Sequence, residues 1–328
     1  MDNLTHTLYG LALAKAGLRR VTPQATLTLL VGANLPDIDL ISLFWGQIHY
    51  LHYHRAATHS LVGGVLGSLL LASLVYGLNN RLLRKSAASW WKLFGLALLG
   101  VGSHVLLDYS NSYGIRSWWP FSPRWQAWDI VFIIDPWILL VLILGLGLPF
   151  LFRLINQEIG AKPTPSHWGA IFCLVSILPY WLLKDLSHRQ ALTELSQNSY
   201  TTGATLRVGA FPNLFNPFSW YGIVETETAY HKTTVGKWLF WNDDPSEDRV
   251  VHKPEQTEIV QSAGKGPYGR IFLDFARFPS YQIEPTEQGY VVLVRDMRFD
   301  FASRARRRFL CKISLDQQLR IVSEDFHF

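Results

Sequence analysis

Four apolar segments dominate the first half of the chain and limit the folds that it can adopt. Three of them are long enough to cross a bilayer as helices: residues 60–78, 91–107 and 130–152. A fourth, residues 167–183, reaches the lower end of the roughly 17–25 residues that a membrane helix needs. Residues 7–18 and 25–35 form two shorter apolar pieces. At about 1.5 Å of rise per residue they are too short to span, so we expect half-helices or a re-entrant pair.

The second half of the chain has a different character. Charged residues are sparse up to about residue 185 and occur at an ordinary frequency beyond it. The 49% hydrophobic content of the whole chain is therefore an average over two unlike halves. Runs of β-branched and aromatic residues, separated by turn signals such as NDDP and GKGPYG, predict strands near residues 205–209, 221–231, 234–241, 270–275, 290–299 and 307–314. The predicted fold is therefore a mainly α polytopic membrane domain, residues 1–185, followed by a small β-rich C-terminal domain, residues 186–328.

Basic residues between the apolar segments predict the orientation. They form three clusters: Arg19 and Arg20; Arg81, Arg84 and Lys85; Arg153 and Lys162. If each apolar segment reverses the direction of the chain, all three clusters fall on one side, which the positive-inside rule places in the cytoplasm. The β-rich domain and the polar motifs described next then fall on the extracytoplasmic side of a bacterial inner membrane.

Histidine and aspartate recur beside the apolar segments of the first 110 residues. The set comprises His6, Asp37, Asp39, His54, His59, His104 and Asp108. Ionisable residues in or next to a membrane segment are costly, so they indicate a functional site by default. Imidazole nitrogens combined with carboxylate oxygens are ligands of zinc and similar divalent ions. The pattern indicates a membrane-embedded metal site.

Two of these motifs have an informative spacing. His104 and Asp108 are four residues apart, so a helix presents both from one face. The alternative is a His–Asp hydrogen bond that closes a helix end. Asp37 and Asp39 follow Pro36, and in an extended segment both carboxylates point to one side. One could ligate while the other orients a histidine, or both could belong to a solvated turn.

The remaining candidates rest on weaker patterns. A lone histidine such as His6 is more often a surface residue or a cap than a metal ligand. His59 follows Thr58, a residue suited to cap a helix, and nearby Arg55 would favour an anionic group such as phosphate; the alternative is a polar interfacial loop. Asp135 lies at membrane depth, where an acid needs a partner or a metal. Three residues of the SNSYGIRSWWPF loop are candidate substrate contacts: Asn111, Tyr113 and Arg116.

Other catalytic classes find no support in the sequence. It contains no nucleophile elbow, phosphate-binding glycine loop or dinucleotide fingerprint. Cys173 and Cys311 indicate neither a disulfide framework nor a nucleophile. The basic residues are divided between short loops and the tail, so no nucleic acid is expected as a partner. Water activated by a metal ion is the expected nucleophile.

Taken together, the motifs resemble a known family. MDNLTHTLYG, ANLPDIDL, HYHRAATHS and HVLLDYSNSYGIRSWWPF, followed by IDPW, resemble the YdjM-like family of inner-membrane proteins expected to be metal-dependent hydrolases. The resemblance covers roughly residues 1–150. That family is distantly similar to the zinc-dependent phospholipase C and single-strand nuclease superfamily, mainly helical enzymes that bind zinc through His and Asp and cleave phosphodiesters. His104 and Asp108 match the superfamily's H-x-x-x-D pair, and His6, Asp37 and His59 follow the order of its further ligands.

The chain departs from that superfamily in one respect. Neither His167 nor His188 is followed by an acid four residues later, so the H-x-x-x-E motif has no counterpart. We therefore expect one or two divalent ions, with zinc favoured, instead of three.

The sequence thus predicts a membrane-bound hydrolase of a phosphodiester or other ester in a lipid-like substrate. The expected metal ligands are His6, Asp37, His59, His104 and Asp108. Asp39 and Asp135 are the candidate catalytic acids or bases, and the candidate substrate contacts are Arg55, Asn111 and Arg116. The lipid bilayer is a partner, while no protein partner is indicated. Two alternatives stay open: a non-catalytic membrane module stabilised by metal, and a transporter whose acids line an ion path.

Overall fold

A computed structural model describes residues 1–81, 89–160, 167–236, 249–255, 257–300 and 309–327. The basic residues Arg84, Lys85 and Lys162 lie outside the described residues, as do the ends of the predicted strands 234–241 and 307–314. The chain divides into two units. The first, here called the helical unit, contains Met1–Asp39, Arg55–Leu186 and Leu214–Pro217. The second, the β unit, contains Leu40–His54, Ser187–Asn213 and Phe218–Phe328.

The helical unit is built mainly from long apolar helices. In chain order the helices are α1 (Asn3–Lys15), α2 (Ala25–Gly32), α4 (Leu61–Arg81), α5 (Trp90–Tyr109), α6 (Pro136–Glu158) and α7 (His167–Gln197), with α3 (Gln47–Tyr53) and the end of α7 from Ser187 onward assigned to the β unit. Among the described residues, four helices are long and apolar enough to cross a membrane, and a fifth span results if α2 and the 3-10 helix Leu35–Trp45 form one span bent by 41°. The predicted polytopic helical region is confirmed.

Local sequence explains where these helices begin and how closely they pack. Asp135 caps α6 by accepting hydrogen bonds from the backbone N–H groups of Trp137 and Ile138, and Pro136 occupies the first turn; such a cap stabilises a helix by about 1 kcal/mol. Gly145 of α6 lies against Gly169 of α7, where a Cβ on Gly145 would come within 2.7 Å of the Gly169 carbonyl oxygen. Small residues thus allow the two helix backbones to approach closely, as in other membrane helix pairs.

The apolar side chains of the helical unit face both inward and outward. The interior of the bundle is formed by Ala12, Leu107, Ile138, Leu142, Ile177 and Trp181. Large apolar side chains also cover the outer faces: Leu66 is 59% exposed, Phe150 58% and Leu178 61%. A helix that is apolar on all sides suits a lipid environment, where such faces contact acyl chains.

The β unit contains two antiparallel sheets of four strands each. The first has the order β1 (Thr205–Pro212), β2 (Trp220–Thr226), β3 (Ala229–Val235), β4 (Arg249–His252), and the second the order β5 (Pro279–Thr286), β6 (Gly289–Asp296), β7 (Leu310–Asp316), β8 (Ile321–His327). Neighbouring strands pair in sequence order, with register pairs such as Val208–Val224 and Val292–Ile313. This arrangement confirms the predicted β-rich C-terminal part.

One predicted strand is a helix. Residues 270–275 belong to α9 (Pro267–Phe275), which follows the short helix α8 (Glu258–Ala263). Phe272 and Phe275 are three residues apart and both are buried, so they share a helix face. Glu324 accepts hydrogen bonds from the backbone N–H groups of Tyr268 and Gly269 and thereby satisfies the first turn. A short apolar run does not distinguish strand from helix, which explains the wrong prediction.

Candidate metal centre

Four side chains from three separate segments of the helical unit converge on one point. Asp37 comes from the 3-10 helix Leu35–Trp45, His59 precedes α4, and α5 supplies both His104 and Asp108. All four residues are buried, and one potential ligand atom from each lies within 4.8 Å of the others. Because His104 and Asp108 lie one turn apart on α5, the helix itself fixes half of the cluster.

The distances within this four-residue cluster are those of groups around a common centre. His59 Nε2 lies 3.1 Å from His104 Nε2 and 3.2 Å from Asp108 Oδ2. His104 Nε2 lies 3.4 Å from Asp108 Oδ2. Asp37 Oδ1 completes the group at 3.5 Å from His104 Nε2 and 3.6 Å from His59 Nε2.

A backbone carbonyl sets the proton position on His104. Its Nδ1 lies 2.7 Å from the carbonyl oxygen of Ala33, and a carbonyl oxygen only accepts hydrogen bonds. The proton of the neutral imidazole therefore sits on Nδ1, which leaves the Nε2 lone pair directed at the cluster. Partners of this kind orient metal-ligating histidines in proteins.

Asp39 plays the corresponding part for His59. Its Oδ2 lies 3.3 Å from His59 Nδ1 and accepts hydrogen bonds of 2.9 Å from the Thr58 hydroxyl and from the backbone N–H of Arg55. A carboxylate at this position favours the proton on Nδ1, so His59 also directs its Nε2 lone pair inward. Asp39 contacts the cluster through His59 and can thereby hold that ring in its orientation.

The charge balance of the site favours a bound divalent cation. Asp37, Asp39 and Asp108 are buried carboxylates, and the buried guanidinium of Arg55 contacts Asp108. Asp108 Oδ2 has no hydrogen-bond donor among the described residues. Counted over these described side chains, three carboxylates against one guanidinium leave two negative charges, and buried charge is costly unless it is compensated. The lone pairs of the two imidazoles and the oxygens of Asp37 and Asp108 have no proton between them, so these four groups could ligate such an ion.

His6 lies beside this cluster, on the other side of Asp108. Its ring stacks on that of His104 with centroids 3.7 Å apart, and its Nε2 lies 3.4 Å from Asp108 Oδ1. Burial and the His104 ring lower the pKa of His6 well below its usual value, so the ring is neutral. Neither ring nitrogen has a hydrogen-bond partner in the described part of the chain. His6 thus offers an unused nitrogen next to the second oxygen of Asp108.

The Oδ1 atom of Asp108 has several other neighbours. Arg55 Nη2 lies 3.0 Å away, and Asn111 Nδ2 donates a weak hydrogen bond of 3.4 Å. The α-amino group of Met1 also contacts this oxygen. Burial and the Arg55 guanidinium lower the pKa of that amine well below its usual value, so we count it as neutral in the charge balance.

The three predicted substrate contacts have protein partners. Arg55 is 3% exposed, adopts a φ of 60° that residues other than glycine seldom adopt, and also donates to Asn111 Oδ1 at 3.1 Å. Asn111 additionally accepts from the backbone N–H of Tyr113. The structure brings both residues to the cluster. The guanidinium of Arg116 stacks over Trp125 at 4.6 Å, while its backbone N–H donates to the Arg55 carbonyl.

Asp135 and His54 are a further acid and a further histidine of the sequence motifs. Asp135 caps α6 and accepts a hydrogen bond of 3.1 Å from the Tyr180 hydroxyl. None of its contacts within the described residues reaches the four-residue cluster. His54 belongs to the β unit, where its ring stacks on Tyr50 with centroids 4.4 Å apart.

The Ala33 carbonyl is the contributor that sequence reasoning missed. Every residue has a carbonyl, so no residue type marks this one. Close packing of α2 and α5 brings it to His104: a Cβ on Gly100 would lie 3.0 Å from the Leu29 carbonyl oxygen, and one on Gly32 would lie 3.1 Å from the Ala97 carbonyl oxygen. Glycines in both helices are the only signal that the sequence offers for this approach.

Fold and site together define a polytopic membrane protein that carries a buried His/Asp cluster able to hold a metal ion. The chain belongs to the YdjM inner membrane protein family, whose family model matches residues 1–190. It is also similar to a Bacillus subtilis (strain 168) protein described as "Uncharacterized protein YfhP", with 29% identity over 333 residues that cover 98% of this chain and 94% of the relative. No solved structure matches the chain. The family resemblance and the inner-membrane location are thereby confirmed.

Proposed function

We propose that the chain is a membrane-bound, metal-dependent hydrolase that cleaves a phosphodiester or other ester bond in a lipid-like substrate. The observation that carries the proposal is the inward orientation of His59 Nε2 and His104 Nε2, 3.1 Å apart, beside two carboxylates. Nitrogen and oxygen donors in this mixture are typical of catalytic zinc sites and of related divalent ions.

Asp37, His59, His104 and Asp108 would hold the first ion. His6 is the candidate for a second, because its nitrogens face the other oxygen of Asp108. Zinc fits these donors best among the common divalent ions. A divalent ion at this position supplies Lewis acidity and lowers the pKa of a water molecule.

The chain's own residues would orient and balance this site. Ala33 and Asp39 fix the two imidazoles through their Nδ1 atoms, and such partners are worth about 10–100-fold in metal affinity or activity. Arg55 and Asn111 hold Asp108 from its other side. These contacts support positioning roles for Asp39, Arg55 and Asn111, and the contacts of Asp135 support a helix cap.

The location of the cluster favours a lipid-like substrate. His104 and Asp108 lie in the last turns of α5, a helix able to span a membrane. A site at the end of such a span lies near the bilayer surface, where an ester or phosphate group of a lipid is also found. Arg19, Arg20 and Arg153 lie at the ends of their apolar segments that are opposite to the His/Asp motifs. Because basic residues favour the cytoplasmic side, this supports an extracytoplasmic metal site.

A second candidate function is a non-catalytic membrane module that uses metal to hold its helices together. The burial of the cluster favours it, because His59, His104 and Asp108 are all fully buried. Structural metal sites have closed shells of protein ligands, whereas catalytic sites keep a position open. The two functions differ in what metal removal does: a module loses stability, and an enzyme also loses turnover of a substrate.

Hydrolysis by the purified protein tests the proposal. Phospholipids, lipid-linked phosphates and nucleotide diesters would be supplied to the detergent-solubilised chain with zinc or manganese. We expect chelator-sensitive hydrolysis, with Asp108→Asn reducing it by more than about a hundredfold, since even orienting partners cost about 10–100-fold. Asp185→Asn is the matched control, because Asp185 is a buried carboxylate of the same unit that accepts from Trp128.

Two outcomes would contradict the proposal. Wild-type turnover by Asp108→Asn would exclude the metal assignment. Metal-dependent stability without hydrolysis of any of these substrates would favour the non-catalytic module.

A further inference from the structure

The β unit contains a cavity that is separate from the metal cluster. Its volume is about 160 Å³, and it is lined by residues of β1 to β5, of α8 and of the segment after β4. Arg207, Glu225 and Lys253 supply its charged groups, His252 supplies an imidazole, and Tyr230, Ser280 and Tyr281 supply hydroxyls. With a share of roughly 30 Å³ per water molecule, this space corresponds to about five waters, which limits a ligand to a small molecule.

The charged groups of this cavity carry an excess of one positive charge. Arg207 donates to Glu225 Oε2 through Nε at 2.9 Å and Nη2 at 2.6 Å. Lys253 Nζ donates to Glu225 Oε1 at 2.8 Å and to the Thr226 carbonyl at 2.7 Å. Although burial raises the pKa of Glu225, these hydrogen bonds outweigh it and lower the pKa, so the carboxylate is ionised. Two cations then face one anion.

Several hydrogen-bond donors of the cavity are unused. The Lys253 ammonium has three N–H groups and the Arg207 guanidinium five, and the contacts to Glu225 and Thr226 use only part of them. Within the described residues, neither the Ser280 hydroxyl nor the Tyr281 hydroxyl makes a hydrogen bond. Burial raises the pKa of Tyr281, so its hydroxyl stays a neutral donor near neutral pH.

Apolar groups complete the lining. The ring of Tyr230 is held in place because its hydroxyl donates to the Pro279 carbonyl at 2.8 Å and its face lies 5.0 Å from Lys253 Nζ. Val260 and Pro254 add aliphatic surface. A concave site with apolar walls and a few convergent polar groups is the usual form of a small-molecule binding site.

We propose that this cavity binds a small organic carboxylate. One negative charge balances the excess positive charge. A carboxylate has about four acceptor positions, which match the unused donors of Arg207, Lys253, Ser280 and Tyr281. The apolar walls then contact the body of the ligand. This site is independent of the proposed hydrolase function.

Calorimetric titration of the detergent-solubilised full chain tests this site. The probes are benzoate, the uncharged isostere benzamide, and inorganic phosphate. We expect benzoate to bind and benzamide to bind at least about tenfold more weakly, because a hydrogen bond to a charged group is worth about 1.5–3 kcal/mol and tenfold corresponds to about 1.4 kcal/mol. Phosphate should also bind more weakly than benzoate, because it has no apolar body to contact the walls.

Variants connect the binding to the cavity. Tyr281→Phe and Ser280→Ala each remove one unused hydroxyl and leave the contacts of Glu225 intact, so they should weaken benzoate binding by about tenfold while circular dichroism stays unchanged. Lys253→Met should abolish binding. Lys312→Met is the matched control, because this exposed lysine lies on β7, outside the cavity. Absence of benzoate binding, equal binding of benzamide, tighter binding of phosphate, or insensitivity to the Tyr281 and Lys253 variants would each overturn the proposal.

Discussion

Replacing Asp39 by asparagine separates the orientation of the metal site from its ligation. In the native chain Asp39 Oδ2 accepts from the backbone N–H of Arg55 and the hydroxyl of Thr58, both at 2.9 Å, and lies 3.3 Å from His59 Nδ1. The amide oxygen of asparagine can keep the two shorter hydrogen bonds, so the local fold should persist. What the substitution removes is the negative charge that favours the proton on His59 Nδ1.

The expected loss follows from that single change. Partners that orient a ligand histidine contribute about 10–100-fold to metal affinity, which corresponds to about 1.4–2.7 kcal/mol. We therefore expect Asp39→Asn to bind zinc about 10–100-fold more weakly than the native chain. Removing a ligand such as His59 itself should lower the zinc affinity further, because a donor atom is then absent.

A chelator competition measures this loss. The detergent-solubilised protein is titrated with zinc against a fluorescent chelator, and the melting temperature without metal is recorded as a check on folding. Asp185→Asn, which changes a buried carboxylate that accepts from Trp128 Nε1 at 2.8 Å, should leave zinc affinity unchanged. Native zinc affinity in Asp39→Asn would refute the positioning role, and so would an equal loss in Asp185→Asn.

Three further predictions concern helix packing, topology and thiol reactivity. Gly145→Leu should lower the melting temperature through about 1–3 kcal/mol of overpacking, because a Cβ at this position meets the α7 backbone. Gly147→Leu should leave the melting temperature unchanged, because a Cβ there meets nothing within 4 Å. Equal effects of the two substitutions would contradict this packing. In intact cells a membrane-impermeant maleimide should label Arg124→Cys and spare Arg153→Cys, and the reverse would place the metal site in the cytoplasm. Burial and nearby acidic side chains raise the pKa of Cys311 to about 12, so alkylation at pH 8 should be slow until the chain is unfolded; fast native alkylation would contradict its burial.

The sequence predicted those parts of the fold that depend on local pattern. Long apolar runs appear as α4 to α7, because hydropathy over about 20 residues distinguishes a membrane helix from other structure. The i, i+4 spacing of His104 and Asp108 likewise predicts their common face on α5. Residues 270–275 show the limit, since an apolar run of this length is compatible with a strand until helix α9 is seen packed in place.

The candidate site was predictable in its residue types but not in its geometry. His59 and Asp37 come from segments far apart in the sequence from α5, and only tertiary packing decides that their ligand atoms lie within 4.8 Å of those of His104 and Asp108. Spacing could not show that Arg55 faces Asp108 rather than an open pocket. The Ala33 carbonyl carries no side-chain signal at all, although it orients His104.

Metal analysis of the purified chain measures whether the His/Asp cluster holds a divalent ion. The full protein, extracted in detergent and dialysed against metal-free buffer, would be assayed for bound transition metals by mass spectrometry beside His104→Ala and a control, His188→Ala. His188 is a buried histidine of the β unit whose Nε2 lies 3.0 Å from the Ala210 carbonyl oxygen. We expect about one or two divalent ions per chain in the native protein and the control, and loss of metal in His104→Ala. No bound transition metal in the native chain and His104→Ala alike would contradict this expectation.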